Sequence, residues 1–356
     1  MTKRIASRAR NVGSVAAALA AMAITALPQS TPAYRPRQQL TGEIRLWGSP
    51  SMLRLMTLWE EGFRRYEPNI VFSNQLKSTA TAQFGLFESV ADLAVSARHL
   101  YPYEFYGVYR RSLLYPVEIT VATGAPAAVG KSTALAIVVN KANPLAHVTM
   151  AQLDGIFGAE RSGGWKDLVW SEAAARGPEE DIRVWGKAGL GGEWAQRPIH
   201  PYGPPGIYPG GQTFFQQAVL GGSDRFASTL REYQDRRAML DAVASDPEGI
   251  AYVALGNATP ELLARLKVVP VGAADAGPFV ALTRSSVADH SYPLARYAYL
   301  YFAPDGPGGV ARPLDPKLKE FLDYVLSREG QAQAAKEGDY LPLTEAVARS
   351  QLSKLK

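Results

Sequence analysis

The regular alternation of strand-like and helix-like stretches is the feature that most limits how this chain can fold. From residue 43 onward, short apolar runs are followed by stretches whose apolar residues recur every three or four positions. In residues 52–66, for example, Leu55, Trp59 and Phe63 recur at spacings of four and mark one apolar helix face. Strands that alternate with helices favour an α/β fold.

The same pattern locates the individual elements. It predicts strands at residues 43–47, 69–73, 91–95, 117–122, 135–140, 250–253, 267–271 and 278–282. It predicts helices at residues 52–66, 79–89, 149–157, 212–219, 235–244, 292–302 and 316–337. Residues 186–211 interrupt this order because they are dense in glycine and proline. A loop of this length is either functional or an excursion over the surface.

Length and composition exclude several classes of protein. With 356 residues, 47% hydrophobic and 20% charged, the chain has ordinary globular composition and is long enough for two domains or one large one. It has no cysteine. This excludes disulfides, thiolate metal ligands, a cysteine nucleophile and a lipid anchor on an N-terminal cysteine.

The first 33 residues have the pattern of a secretory signal peptide. Four basic residues precede an apolar stretch at 15–27, and small and polar residues follow as far as Ala33. The apolar stretch is too short to span a bilayer, so we expect an exported protein cleaved near residue 33. An N-terminal membrane anchor is the alternative.

The charge of the remaining chain gives no sign of a nucleic-acid partner. Of the 38 basic residues, four lie in the leader, which leaves 34 against 33 acidic residues. Nucleic-acid binding requires a basic stripe or patch, and the sequence shows none.

Two predicted helices begin next to a serine, directly after a strand. Ser51 precedes the helix at 52–66, and Ser78 precedes the helix at 79–89. A helix N-terminus has unpaired N–H groups and a partial positive charge, which favours anions. In open α/β sheets, ligands bind at these strand ends. The alternative is that both serines are simple N-caps.

Catalytic and cofactor motifs are weak. Residues 124–132 resemble a phosphate-binding P-loop, but five residues separate the glycines instead of four, and a strand follows. Residues 189–192 carry only part of a dinucleotide fingerprint. The four histidines are scattered without metal-ligand spacing. We therefore predict no catalytic residue, no metal and no cofactor.

Seven segments follow one another in an order that is typical of one family. They are IRLWGSPSM (44–52), ADLAVSAR (91–98), VVNKANPL (138–145), TMAQLDGIFG with Trp165 (149–158), GIAYV (249–253), YPLAR (292–296), and FL, SREGQ and YLPL (321–343). Together they resemble the periplasmic phosphate-binding proteins that feed ABC importers, over about residues 42–352. The resemblance implies a two-lobed type II periplasmic-binding-protein fold with a hinge between the lobes. Lobe 1 would be residues 42–132 plus 277–356, and lobe 2 residues 133–276.

The resemblance also implies a function and its partners. The protein would capture phosphate or a similar small oxyanion in the cleft between the lobes and deliver it to an ABC permease in the inner membrane. It would be a periplasmic monomer without a lipid anchor, and not an enzyme.

Ligand residues carry over from the family position by position. They are Ser49, Ser51 and the Met52 backbone in the first turn, Ser78 and Thr79 in the second, Arg98 after the third strand, and Gly210, Gly211 and Gln212 in the third loop. That loop departs most from the family, which has an arginine and Ser-Gly-Thr there, whereas residues 202–215 contain no arginine. We expect weaker anion binding unless Gln212, Thr213, Tyr208 or Arg98 compensates.

Two other functions stay open. The altered loop is also compatible with a binding protein for another ligand, or with a sensor or adhesion role. An open, polar cleft would favour anion capture, and a cleft filled by Tyr208 and Pro209 would favour the other roles. A phosphatase-like enzyme that uses the same pocket is the least favoured alternative.

Overall fold

The computed structural model describes residues 31–166, 168–205, 211–304 and 309–355, which form two mixed β-sheets flanked by helices. The α/β class predicted from the alternation is confirmed. The predicted signal peptide lies almost wholly outside the described residues. In the described part of the chain, no helix is both long enough and apolar enough to cross a membrane.

The first sheet has six strands: β1 (Gly42–Gly48), β2 (Ile70–Gln75), β3 (Leu93–Ser96), β4 (Val117–Gly124), β15 (Tyr297–Phe302) and β16 (Tyr340–Leu341). Their order across the sheet is β16-β4-β15-β3-β1-β2. β1 lies parallel to β2 and β3, and β15 runs antiparallel to β3 and β4. The carboxyl ends of β1, β2 and β3 therefore meet at one edge.

The second sheet has five strands: β5 (Ala136–Asn140), β9 (His200–Gly203), β10 (Arg231–Glu232), β11 (Gly249–Val253) and β12 (Leu266–Val269). Their order is β10-β9-β11-β5-β12, with β9 parallel to β11 and β5 antiparallel to β11. Two small sheets complete the strands: β6 (Val148–Thr149) with β13 (Val271–Gly272) and β14 (Phe279–Val280), and β7 (Gly164–Lys166) with β8 (Val169–Ser171).

The helices are α1 (Leu53–Phe63), α2 (Thr81–Phe87), α3 (Pro102–Ser112), α4 (Met150–Phe157), α5 (Gly211–Ala218), α6 (Arg236–Ala244), α7 (Pro260–Leu263), α8 (Arg284–Ala288), α9 (Pro316–Val325), α10 (Arg328–Glu337) and α11 (Glu345–Ser353). Short 3-10 turns lie at Pro50–Met52, Glu172–Ala174, Pro178–Glu180, Gly192–Trp194 and Leu255–Asn257.

Each large sheet has its own hydrophobic core. In the first, Leu46 of β1 packs with Trp59 and Phe63 of α1 and with Phe321 of α9. In the second, the core is formed by Ile137 and Val139 of β5, Phe157 of α4, Phe215 of α5 and Tyr252 of β11. The apolar face predicted for residues 52–66 is thus the buried face of α1.

Two predicted helices need correction, and one helix was not predicted. Residues 292–302 were expected to be a helix, but 297–302 form β15, where Tyr297, Tyr299 and Tyr301 alternate with Ala298 and Leu300 in a strand between β3 and β4. Residues 316–337 form two helices because Ser327 caps a new one. Residues 102–112 form α3, which the periodicity did not predict.

The chain passes between the two sheets twice, first at about residues 125–135 between β4 and β5 and again at about residues 289–296 before β15, and these two crossings lie side by side. The Gly124 N–H donates to the Arg296 carbonyl (2.8 Å), and the Leu135 N–H donates to the Leu294 carbonyl (3.0 Å). Tyr292 and Leu294 are buried in the second core. The lobe boundary at residue 277 stays a prediction, and this packing favours a boundary nearer 296.

Candidate functional site

A cavity of about 530 Å³ lies between the two sheets. On the side of the first sheet, the cavity is lined by the segments that follow the carboxyl ends of β1, β2 and β3. On the side of the second sheet, it is lined by the segments at the carboxyl ends of β9 and β11. Residues of both crossings complete the lining. The carboxyl ends of strands are where open α/β sheets bind ligands. This cavity is therefore the candidate site.

Ser49 and Ser51 line the cavity where β1 is followed by α1. Gly48 ends β1 with a φ of 144°, and a β-carbon there would overlap the Val95 carbonyl oxygen. Only glycine allows this approach to β3. The Oγ atoms of Ser49 and Ser51 are 2.8 Å apart. The expected N-cap role of Ser51 is wrong, because a 3-10 turn at Pro50–Met52 precedes α1 and no side chain caps the helix.

Ser78 and Thr79 line the cavity after β2. The Ser78 N–H donates to the Gly48 carbonyl (3.0 Å), which ties this turn to the first one. Ser78 Oγ accepts the Ala80 N–H (3.2 Å), and α2 begins only at Thr81. Ser78 therefore shapes a turn that precedes the helix, and the predicted start of the helix at Thr79 is two residues too early.

Met52 is placed differently from the serines around it. Its side chain is fully buried in the first core, and its N–H donates to the Ser49 carbonyl (3.3 Å) within the turn. The structure thus gives the Met52 N–H a partner inside the protein. Its role toward a ligand stays a prediction.

The third loop is only partly described. Gly211 and Gln212 begin α5 and line the cavity. Gly210 lies outside the described residues, as do Tyr208 and Pro209. Gln212 is almost fully buried, at 2% exposure. The start of α5 thus faces the serine turns across the cavity.

Arg98 lines the cavity, but its guanidinium is bound to a carboxylate. Its two terminal nitrogens donate to the two oxygens of Glu104 (2.7 and 2.9 Å), and one also donates to the His99 carbonyl (2.8 Å). Burial lowers the pKa of Arg98, but Glu104 outweighs this and raises it. Because Glu104 already neutralises its charge, this arrangement does not favour Arg98 as an anion ligand. Its ligand role stays a prediction.

Arg296 also belongs to the lining, although it was not among the expected ligand residues. It lies in the second crossing, two residues after Leu294, and is 7% exposed. Among the described residues, nothing accepts a hydrogen bond from its Nε, and one terminal nitrogen donates to the Ala97 carbonyl (3.3 Å). Burial lowers the pKa of Arg296 to about 10. In the sequence, Arg296 is the last residue of YPLAR, one of the segments that resemble the family, and nothing in that motif marked it as a ligand residue.

Two residues of the same lining carry a buried hydroxyl without a partner among the described residues. The hydroxyl oxygens are Oγ1 of Thr133 in the first crossing and the phenol oxygen of Tyr252 in β11. The Tyr252 ring is fixed by Phe215, which stacks on it at 3.9 Å between ring centroids. Burial raises the pKa of Tyr252 well above its ordinary value, so the phenol keeps its proton at neutral pH.

The charge on the described part of the lining is of one sign. Besides Arg98 and Arg296, it contains Lys77, Lys131 and Arg236, and none of the described lining residues is acidic. The Lys131 ammonium donates to a carboxylate oxygen of Glu337 (2.6 Å), a residue that is not part of the lining. The arrangement of cations, hydroxyls and helix beginnings suits a small anion.

A possible metal cluster lies elsewhere. Ligand atoms of His200, Asp246 and Glu248 lie within 4.8 Å of one another. However, Arg231 donates to the same Asp246 oxygen as His200 does, and Arg197 pairs with Glu248. Two guanidinium groups would repel a metal ion here, and this cluster is better explained as an ion-pair network.

Comparison with known proteins gives the chain a family and close relatives. A model described as the PBP superfamily domain matches residues 33–329. The phosphate-binding protein PstS of Pseudomonas aeruginosa is 30% identical over 338 residues, which is 94% of each chain. Protein SphX of Synechococcus elongatus is 22% identical over 83% of this chain and 76% of its own length.

Solved structures share the fold. PstS from Borrelia burgdorferi matches with a TM-score of 0.56 and 14% identity, over 85% of this chain and 98% of its own. An ABC-type phosphate transport receptor from Vibrio cholerae matches with a TM-score of 0.53 and 20% identity, over 84% and 99%. The predicted periplasmic-binding-protein architecture is confirmed by these matches.

Proposed function

The chain belongs to the PBP superfamily, and on that premise we propose that it is a solute-binding protein that captures phosphate or a similar small oxyanion for ABC-type import. The observation that carries the proposal is the cavity between the sheets, whose described lining contains five cationic side chains and no acidic one. The names of the Pseudomonas and Vibrio relatives point to phosphate.

The two sides of the cavity would hold different faces of the anion. On the first sheet, the turns at Ser49–Ser51 and Ser78–Thr79 offer hydroxyl groups, and on the second sheet α5 begins at Gly211. A charge-assisted hydrogen bond to a buried oxyanion contributes about 1.5–3 kcal/mol, so a few such contacts give micromolar binding.

Closure of the cleft would follow from the two crossings. Each sheet has its own core, and the crossings at about 125–135 and 289–296 connect them. An anion that contacts both sheets draws them together by hinge motion. The lobes of this proposal are residues 42–132 plus about 296–356, and residues 133 to about 295.

The remaining parts of the proposal concern its setting. The leader exports the chain to the periplasm, where it acts as a monomer without a lipid anchor and delivers its ligand to an inner-membrane ABC permease. It makes and breaks no bond. The described lining includes serines but no acidic side chain that could serve as a base beside them, which favours binding over catalysis.

Isothermal titration of the chain from Tyr34 onward with phosphate, sulfate, molybdate and a phosphonate tests the proposal. We expect micromolar or tighter binding of phosphate. Absence of heat and of thermal stabilisation with all four anions at millimolar concentration would refute oxyanion capture. Release of phosphate from an aryl phosphate, lost in Ser51→Ala, would instead establish the phosphatase alternative.

A further inference from the structure

We infer that Arg296, together with the hydroxyls of Thr133 and Tyr252, is the principal anchor for the anion in the cleft. This inference rests on the proposed function and names the group of residues that would hold the ligand most tightly. None of the three was among the ligand residues expected from the sequence.

Arg296 is a buried cation without a carboxylate. It is 7% exposed, and in the described part of the chain no acidic side chain pairs with it. Its guanidinium lies 5.7 Å from the Phe214 ring centroid and donates one hydrogen bond, to the Ala97 carbonyl. A buried charge is costly unless it is paired. An anion in the adjoining cavity would supply the missing partner.

Thr133 and Tyr252 add two further buried hydrogen-bond donors, both hydroxyl groups. Both side chains are buried, at 0% and 1% exposure, and neither hydroxyl has a partner among the described residues. Buried hydroxyls are nearly always hydrogen-bonded in folded proteins. Three residues of one cavity lining thus carry buried polar atoms that lack partners, which points to a ligand with several acceptor oxygens, such as a tetrahedral oxyanion.

The positions of the three residues connect the anchor to the hinge. Arg296 lies in the second crossing, Thr133 in the first, and Tyr252 in the second sheet. An anion held by all three residues would contact both crossings and the lobe that contains the second sheet. The serine turns of the first sheet would then complete the site when the cleft closes.

Arg98 cannot take this role in the arrangement observed. It is equally buried, but both of its terminal nitrogens donate to Glu104. Pairing with an anion would require it to leave Glu104 without a partner, which is costly. Arg296 has no such competitor among the described residues.

The test compares Arg296→Met with Arg237→Met. Both substitutions remove one cation from the chain, but Arg237 is exposed on α6 and does not line the cavity, whereas Arg296 is buried and does. Calorimetric titration with inorganic phosphate should show affinity reduced about 100-fold or more in Arg296→Met. We expect a change of less than about five-fold in Arg237→Met, and an intermediate loss in Arg296→Lys.

Two measurements separate a ligand role from a structural one. Without phosphate, Arg296→Met should melt at the same temperature as the unmodified chain or higher, because it removes an unpaired buried charge. In the unmodified chain, the side-chain Nε–H signal of Arg296, assigned by its loss in Arg296→Lys, should shift on addition of phosphate. The signal decides the question even if the methionine variant does not fold.

The outcomes distinguish this inference from the proposed function. If the unmodified chain binds phosphate but Arg296→Met binds it equally well, or the Nε–H signal does not move, the anchor is refuted and oxyanion capture stands. If the unmodified chain binds none of the four anions, both are refuted.

Discussion

Arg98 and Arg296 show how a hydrogen-bond partner decides what a buried arginine does. Both line the same cavity and are 8% and 7% exposed. Arg98 is bound on both terminal nitrogens by Glu104, which also accepts the Tyr101 N–H (2.7 Å) at the start of α3. Arg98 therefore holds α3 against the turn after β3. Arg296 leaves a charge unpaired beside the cavity, where a ligand can use it.

Removal of the Arg98 partner should cost stability. In Glu104→Gln, Arg98 stays buried without a full negative charge, and we expect a loss of about 3–5 kcal/mol in the free energy of unfolding. Urea denaturation measures it, with Glu88→Gln at an exposed position as the matched control. A loss below about 1 kcal/mol would show that the pair is structurally unimportant.

Asp92 should give the fold a defined dependence on acid. Burial raises the pKa of Asp92, but hydrogen bonds from the Arg45 side chain and backbone outweigh it and lower the pKa below the ordinary 3.8. Because the pKa is lower in the folded state, the contribution is present above about pH 4 and is lost as the pH falls through the lowered value.

The variant Asp92→Asn isolates that contribution. We expect it to be about 1–2 kcal/mol less stable than the unmodified chain at pH 7, and the difference to shrink as the pH falls below about 4 and through the lowered pKa of Asp92. Urea midpoints measured at several pH values check this. A difference that stays constant down to pH 2 would exclude titration of Asp92 as its cause.

The site residues could be predicted where the motif is local. Ser51 and Ser78, which were expected from turns that follow strands, line the cavity, as do Ser49 and Gly211, which the family resemblance implied. Arg296 could not be assigned in this way, since it is separated from those turns by more than eighty residues and only the second crossing brings it to them. The pairing of Arg98 with Glu104 was also invisible, because it depends on where α3 begins.

At the scale of elements, the serine turns depend on close backbone contact more than on helix capping. Neither α1 nor α2 has a side-chain cap, and the two turns are instead joined through Gly48, whose carbonyl accepts the Ser78 N–H. The close approach of Gly48 to β3 also lets the Ser49 N–H donate a hydrogen bond to the Val95 carbonyl (2.8 Å). The positions of both turns thus follow from one residue.

Gly48→Ala should therefore disturb both turns at once. Its φ of 144° is unfavourable for alanine, and the new β-carbon would overlap the Val95 carbonyl oxygen. We expect a loss of stability of about 2–4 kcal/mol and weaker phosphate binding. Gly191→Ala is the control, since a β-carbon there meets open space. Unchanged phosphate affinity in Gly48→Ala would argue against a role of these turns in binding.

The strand at Tyr297–Phe302 shows where periodicity misleads. A helix was predicted there, although tyrosines at every second position are typical of a strand. The run is apolar on both faces because β15 lies between β3 and β4 and is covered on both sides. A run that is buried on both faces loses the alternation from which strands are recognised.

At the scale of the whole molecule, the cavity lies between the two sheets, which predicts that ligand binding changes the separation of the two lobes. An anion held between Arg296 and the serine turns stabilises the closed form only if it contacts both sides. Phosphate should therefore lower the radius of gyration measured by small-angle X-ray scattering. At about 100 times its Kd it should add about 2.7 kcal/mol to the free energy of unfolding.

Arg296→Met provides the control for this coupling. At the same phosphate concentration, a variant whose affinity is reduced 100-fold or more is at most about half saturated, so it should show at most about half the compaction and about 0.4 kcal/mol of stabilisation. Binding of phosphate to the unmodified chain without any decrease in radius of gyration would show that the cleft does not close on the anion.

The sequence by itself determined the α/β class, the family and the serine turns, because these follow from periodicity and from short motifs whose residues are neighbours along the chain. Only the tertiary structure decided which buried cation is left without a carboxylate, which strand lies in the middle of the first sheet, and which segments meet across the cavity. These properties depend on contacts between residues far apart in the chain, such as Gly124 with Arg296. No local pattern encodes such a contact, since it arises only when both crossings pack side by side.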